Sequence, residues 1–225
     1  MVRLVLFDID GTLIRTGGAG VKAFERTFAT EFNLPGAVEG INFSGRTDPS
    51  IVREAFLRRG ITPTEQHFQV FYDRYVFWLD ELLHQLDGAP CPGVETFIDD
   101  LHHLPKPPVL GLLTGNIRLG AEIKLRHYNL WRHFHTGGFG DDHEDRNTLA
   151  AIAKKRGGEL IGARLSDDEV LVIGDTARDI ECGQAINARV LAVGTGLYSP
   201  DQLSVHKPTW AVADLCAISA AEVCR

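Results

Sequence analysis

The stretch that most limits what this chain can fold into is Leu4-Val5-Leu6-Phe7-Asp8-Ile9-Asp10-Gly11-Thr12-Leu13. The run from Leu4 to Phe7 has no polar alternation, so it predicts a strand buried on both faces, as in a parallel sheet. Asp8 and Asp10 then fall at the C-terminal end of that strand, where open α/β sheets place their ligands. Residues two apart on a strand point the same way, so the two carboxylates share a side and Ile9 turns into the core. Two such anions repel each other unless a cation, or a metal carrying a phosphate, sits with them. Gly11 allows a sharp turn and a close backbone approach to a ligand. A plain Asp-Gly turn accounts for Asp10 and Gly11 but leaves Asp8 unexplained, which favours a catalytic or metal site.

The same design recurs further along. A second apolar run, 109–113, ends in Thr114-Gly115-Asn116, and a third, 169–174, ends in Asp175 with a helix beginning around Asp179. Shorter strands are expected near 134–139, 190–193 and 210–212, and helices at 94–104, 119–127 and 149–156. Strands alternating with helices predict an α/β fold, a doubly wound parallel sheet with right-handed crossovers. Residues 15–88 depart from that pattern. After the glycine-rich Gly17-Gly18-Ala19-Gly20, a hinge candidate, they read as helices throughout. One spans 21–32. A second starts at Asp48-Pro49, a cap residue followed by proline in the first turn, and ends at Arg59. A third starts near Thr62-Pro63 and carries Phe68, Tyr72, Tyr75, Leu79, Leu82, Leu83 and Leu86 on one apolar face. The expected organisation is therefore a core of 1–14 and 89–225 with a helical cap, 15–88, inserted into it.

Composition limits the partners. With 225 residues, 44% of them hydrophobic, the chain has ample material for a globular core. A net charge of −7 gives no basic footprint for nucleic acid or an anionic membrane. No apolar run approaches the ~20 residues of a membrane-spanning helix, and the first residues run straight into a strand without a signal-peptide pattern. Cys91, Cys182, Cys216 and Cys224 show no CxxC spacing and read as reduced thiols. The histidines lack zinc-ligand spacing. The expectation is a soluble cytoplasmic protein, a monomer or homodimer, without nucleic-acid or membrane partners.

Three strand ends thus carry polar groups on one edge of the sheet: Asp8 with Asp10, Thr114 with Asn116, and Asp175 with Asp179. In this order, with Asp8-Ile9-Asp10-Gly11-Thr12, Thr114-Gly115-Asn116, a basic residue at Arg146 and Gly174-Asp175-Thr176-Ala177-Arg178-Asp179, the whole chain resembles the haloacid dehalogenase-like hydrolase superfamily. The helical insert is similar to that superfamily's small α-helical cap. Asp10-Gly11-Thr12-Leu13…Thr16-Gly17-Gly18 and Cys91-Pro92-Gly93-Val94 look most like the phosphoglycolate phosphatase-like branch.

The resemblance implies a Mg²⁺-dependent phosphatase acting on a small phosphorylated metabolite. Asp8 would be the nucleophile that forms an aspartyl-phosphate, and Asp10 the acid that protonates the leaving alcohol and later activates water. Mg²⁺ would sit on the Asp8 side chain, the Asp10 backbone carbonyl and the Asp175 side chain, with Asp179 in or just behind that shell. Gly11, Thr12, Thr114, Gly115, Asn116 and Arg146 would surround the phosphoryl group. The family pattern has lysine where this chain has Arg146, and a surface arginine paired with Glu144 or Asp145 is the competing reading. Arg46 has two readings as well: a cap guanidinium for a carboxylate on the substrate, or part of a helix-start loop capped by Asp48. The rival functions are a phosphomutase or a haloacid dehalogenase on the same core, and a catalytically idle binding protein.

Overall fold

The computed structural model describes all 225 residues. In chain order the elements are β1 (Leu4–Phe7), β2 (Ile14–Arg15), α1 (Ala19–Phe32), α2 (Asp48–Arg58), α3 (Glu65–Gln85) and β3 (Ala89–Pro90). There follow α4 (Val94–His102), β4 (Val109–Leu113), α5 (Arg118–His127), β5 (Thr136–Gly138), α6 (Arg146–Ile161), β6 (Val170–Gly174) and α7 (Ala177–Ala185). β7 (Arg189–Val193), α8 (Pro200–Ser204), β8 (Trp210–Val212) and α9 (Ala220–Val223) complete the chain.

Six strands form one sheet in the order β5-β4-β1-β6-β7-β8, parallel throughout. β1 is central and wholly buried, as its unbroken apolar run requires. Its side chains alternate between two cores. Val5 and Phe7 pack with Phe97, Leu101, Leu125 and Val223 on one face. Leu4 and Leu6 pack with Leu149, Ala153, Val172 and Ile180 on the other. The chain leaves β1 towards β4 and β5 and later returns to its other side through β6, so the sheet has its switch point at β1. The crevice opens there, at the C-terminal ends of β4, β1 and β6.

Helices α1, α2 and α3 lie between β2 and β3, which pair as a two-residue antiparallel ribbon. They hold a third, separate apolar core built on Phe24, Phe28, Phe56, Phe71 and Tyr75, whose rings meet mostly at tilted and edge-to-face angles. Ile117, from the segment before α5, joins this core and so ties the insert to the sheet.

Several local expectations need correction. The buried stripe of α3 is Phe71, Tyr75, Leu79, Leu82 and Leu83, while Phe68 and Tyr72 are half-buried at its margin. The cap of α2 is Thr47, not Asp48, which already has a helical place in the first turn ahead of Pro49. Helix α6 begins at Arg146, three residues before the apolar pattern does, because the Asp145 carboxylate accepts the Thr148 N–H at 2.8 Å. Helix α7 starts at Ala177 for a similar reason. Thr176 caps it, and Asp179 closes a capping box from the third position.

Candidate active site

Asp8 leaves the end of β1 with its carboxylate buried, and Asp175 leaves the neighbouring β6 in the same way. Gly11 makes this closeness possible. Its φ is +88°, and a Cβ there would lie 2.5 Å from Asp175 Oδ2. Thr12 donates from its hydroxyl to Asp175 Oδ1 at 3.0 Å. Asp179, on the first turn of α7, completes a group of three buried carboxylates whose oxygens lie within 4.8 Å of one another. Both oxygens of Asp179 already have partners: Oδ2 accepts the Thr176 N–H at 3.0 Å and its hydroxyl at 2.6 Å, and Oδ1 pairs with Arg146.

Arg146 is buried at the N-terminus of α6 rather than spread on the surface. Its Nη2 also donates to Asp8 Oδ1 and to the Leu113 carbonyl, each at 3.4 Å, and its Nε is buried without a partner. Glu144, the surface partner considered for it, is held instead by Arg53 of α2 at 2.6 Å. One guanidinium does not balance three carboxylates. Burial, with Asp179 beside it, pushes the Asp8 carboxyl up to about 7, and burial with the same neighbour pushes Asp175 well up. A hard dication suits such a set of crowded, desolvated oxygens. The donor set therefore fits Mg²⁺, with Asp8 and Asp175 best placed to hold it.

Asp10 does something different. Its carboxylate turns away from the acidic group and receives Lys124 Nζ at 2.8 and 2.7 Å on its two oxygens. Lys124, on α5, is 3% exposed and also donates to Asn116 Oδ1 at 2.6 Å. Asn116 Nδ2 donates in turn to Asp10 Oδ2 at 2.7 Å and to Thr114 Oγ1 at 2.8 Å. This lysine was not among the expected site residues. The signal for it was a lysine at a position where α5 should be apolar, since Gly120, Ala121 and Leu125 share its buried stripe.

Thr114 and Asn116 thus stand at the head of β4, on the same sheet edge as Asp8 and Asp10, with Asn116 bonded to Asp10. Gly115, between them, is covered by the insert. A Cβ there would lie 2.0 Å from the Arg46 carbonyl oxygen, and the Asp48 N–H donates to the Gly115 carbonyl at 2.7 Å. The buried Asp48 carboxylate crosses to the sheet side and accepts the Ile117 N–H at 2.9 Å. Burial lifts this carboxyl to about 7 as well. Arg46 brings its carbonyl oxygen against Gly115. Its guanidinium pairs with Glu54 and donates to the Ser50 carbonyl at 3.0 Å. The cleft over these groups measures about 730 Å³ and has Asp8, Asp10, Thr114, Arg146 and Asp175 along its floor.

Known proteins share this arrangement of elements. The family model described as haloacid dehalogenase-like hydrolase matches residues 5–193. A curated relative from Oceanobacillus iheyensis, the pyrophosphatase PpaX, is 25% identical over 221 residues, covering 95% of this chain and 94% of its own. Among solved structures, a family IA, variant 3 hydrolase of Entamoeba histolytica superposes with a TM-score of 0.76 at 16% identity, covering 99% of this chain and 97% of its own. One described as a predicted phosphoglycolate phosphatase from Haemophilus somnus gives 0.71 at 18% identity, covering 95% of each chain. No helix of the chain is long and apolar enough to cross a membrane.

Proposed function

Because the chain belongs to the haloacid dehalogenase-like hydrolases, we propose that it is a Mg²⁺-dependent phosphatase that cleaves a small phosphomonoester through a phospho-aspartate on Asp8. The observation that carries this reading is the Asp8 carboxylate. It sits buried at the head of the central strand, next to a guanidinium and to two further carboxylates suited to a dication.

In this reading Asp8 Oδ attacks phosphorus in line with the departing alcohol. Bound Mg²⁺, held by Asp8, the Asp10 carbonyl and Asp175 with Asp179 behind them, would screen the repulsion between the nucleophile and the phosphate dianion. Arg146, already beside Asp8, faces the developing charge on the phosphoryl oxygens. Thr114 keeps its hydroxyl proton for the same oxygens, because it only accepts from Asn116. Asp10, carrying a proton when the ester is bound, gives it to the leaving oxygen, and afterwards, as a carboxylate held by Lys124 and Asn116, it takes a proton back from the water that attacks the phospho-aspartate. The insert, residues 15–88, acts as the lid that excludes bulk water. Cytoplasmic location and a monomeric or dimeric state belong to the same proposal.

Phosphoglycolate, the substrate suggested by the resemblance, carries a carboxylate that needs a cation. The cap residue considered for that role, Arg46, is engaged with Glu54. A phosphate-release screen over a metabolite panel, with and without Mg²⁺ and against Asp8→Asn, tests the proposal. Mg²⁺-dependent release that Asp8→Asn abolishes is expected. Retention of the phosphoryl group on the product would indicate a mutase, and activity unchanged by Asp8→Asn would remove the covalent mechanism.

A further inference from the structure

The chemistry of the substrate's alcohol half can be read from the cleft above the phosphoryl site, granted the phosphomonoesterase reading given above. Charged catalytic groups line this cleft, but the greater part of its exposed lining surface is apolar. Val21, Phe24, Ile41 and Phe43 come from the insert, and Leu197 comes from the loop after β7. At 80% exposure Leu197 is the most exposed large apolar residue of the chain, and Val21 is 38% exposed. Single exposed apolar side chains are ordinary. Here two of them, one from each side, line the same cleft, and buried aromatic and aliphatic groups stand behind them.

Each cation of the cleft already has a partner, and for three of the four that partner is acidic. Lys124 is bound by Asp10 and Asn116, Arg146 by Asp8 and Asp179, and Arg46 by Glu54 and the Ser50 carbonyl. Arg15 has no acidic partner, yet its Nε and Nη2 both close on the Thr195 carbonyl, at 2.9 and 2.6 Å. The charged groups left in the cleft lining are acidic: exposed Glu25 and Glu39. A carboxylate or a second phosphate on the leaving group would lose its water there and meet hydrocarbon and like charge. We propose that the natural leaving group is an uncharged, mainly apolar alcohol, so that the substrate is an alkyl or aralkyl phosphate and neither a phosphorylated carboxylic acid nor pyrophosphate. A cleft of about 730 Å³ accommodates an alcohol well beyond two carbons.

The test compares benzyl phosphate with its para-carboxylate, two esters with the same leaving oxygen that differ by one remote charge, using the full chain with Mg²⁺. The expected kcat/KM ratio is about tenfold or more in favour of the neutral ester. Pyrophosphate and phosphoglycolate are expected to be slower than benzyl phosphate as well. In Leu197→Lys, which places an ammonium at the exposed mouth, the ratio should shrink several-fold through a gain on the carboxylate. A wild-type ratio of fivefold or less, or one that favours the carboxylate, overturns the proposal while leaving the phosphatase reading intact. If no ester releases phosphate faster from the wild type than from Asp8→Asn, the phosphatase reading itself fails, and this inference with it.

Discussion

Lys124 offers a sharp test of how the site is held, through the pair of variants Lys124→Met and Asp10→Ala. The side chains of this ion pair are unequally buried, 4% exposed for Lys124 and 44% for Asp10. Exposed pairs contribute about 0–1 kcal/mol, and breaking a buried one costs about 3–5 kcal/mol, chiefly for the charge left behind. Lys124→Met leaves a carboxylate that water reaches and takes the donor from Asn116 Oδ1, so the expected loss is about 1–2 kcal/mol. Asp10→Ala leaves a sealed ammonium with only Asn116 Oδ1 to accept from it, and the expected loss is about 2–4 kcal/mol. At about 2–4 °C per kcal/mol for a chain of this size, the melting temperatures should fall by about 4 °C and about 8 °C, read without metal at pH 7.5. Kinetics supply the second arm. An Asp10 carboxylate no longer held in place gives poorer proton transfer, which normally contributes about 10²–10⁴-fold. In Lys124→Met, kcat/KM should therefore fall about 10–100-fold on benzyl phosphate. On 2,4-dinitrophenyl phosphate, whose leaving group needs no proton, it should fall only a few-fold. Equal losses on the two esters, or a Lys124 variant less stable than the Asp10 variant, would refute the reasoning.

Three further outcomes are expected. Mg²⁺ at a hundred times its Kd should stabilise the protein by about 2.7 kcal/mol in a thermal shift assay, and Asp175→Asn, which removes a carboxylate from the buried group, should lose most of that gain; no shift in the wild type would take the metal out of the site. Asp48 is raised from 3.8 to about 7 by burial, so between those values the folded chain holds a proton that the unfolded chain has released, and this residue makes stability fall as pH climbs from about 4 to about 7. Asp48→Asn keeps an acceptor for the Ile117 N–H and removes the charge, so it should gain on the order of 1–2 kcal/mol at pH 8 and nothing near pH 4 in urea titrations; an equal effect at both pH values would contradict this account. Gly115→Ala would put a Cβ 2.0 Å from the Arg46 carbonyl oxygen, so it should loosen the insert, seen as faster amide exchange at Asp48 and a higher KM, while the sheet keeps its protection.

Much of the site could be read from local pattern, because its frame is made of β1, β4 and β6. Each is a short apolar run ended by an aspartate or threonine, and such a run says both that the strand is buried and where it stops. Asp8, Thr114 and Asp175 then share one edge by the rule of parallel connections, whatever the loops do. Arg146 could be named as a candidate from the sequence, and the structure places it against Asp8 and Asp179. Its burial was not legible in the sequence, because a competing pair with Glu144 has the same local signature, and only Arg53 arriving from α2 removes that partner.

What tertiary structure decided are the pairings between elements distant in sequence. Lys124 stands 114 residues from Asp10, and nothing in the period of α5 distinguishes a lysine that snorkels to water from one sealed against a carboxylate. Asp48 looks like a helix cap at its own N-terminus, yet it serves the Ile117 N–H at the start of another helix. Arg46 is the local exception: its guanidinium was free in the sequence to reach the substrate, and the formation of α2 alone brings Glu54, eight residues on, within its grasp. Apolar periodicity is a property of neighbouring residues and survives in the sequence. The partner of a buried charge is chosen by the full arrangement of desolvated groups around it, which exists only once the insert and the sheet have packed.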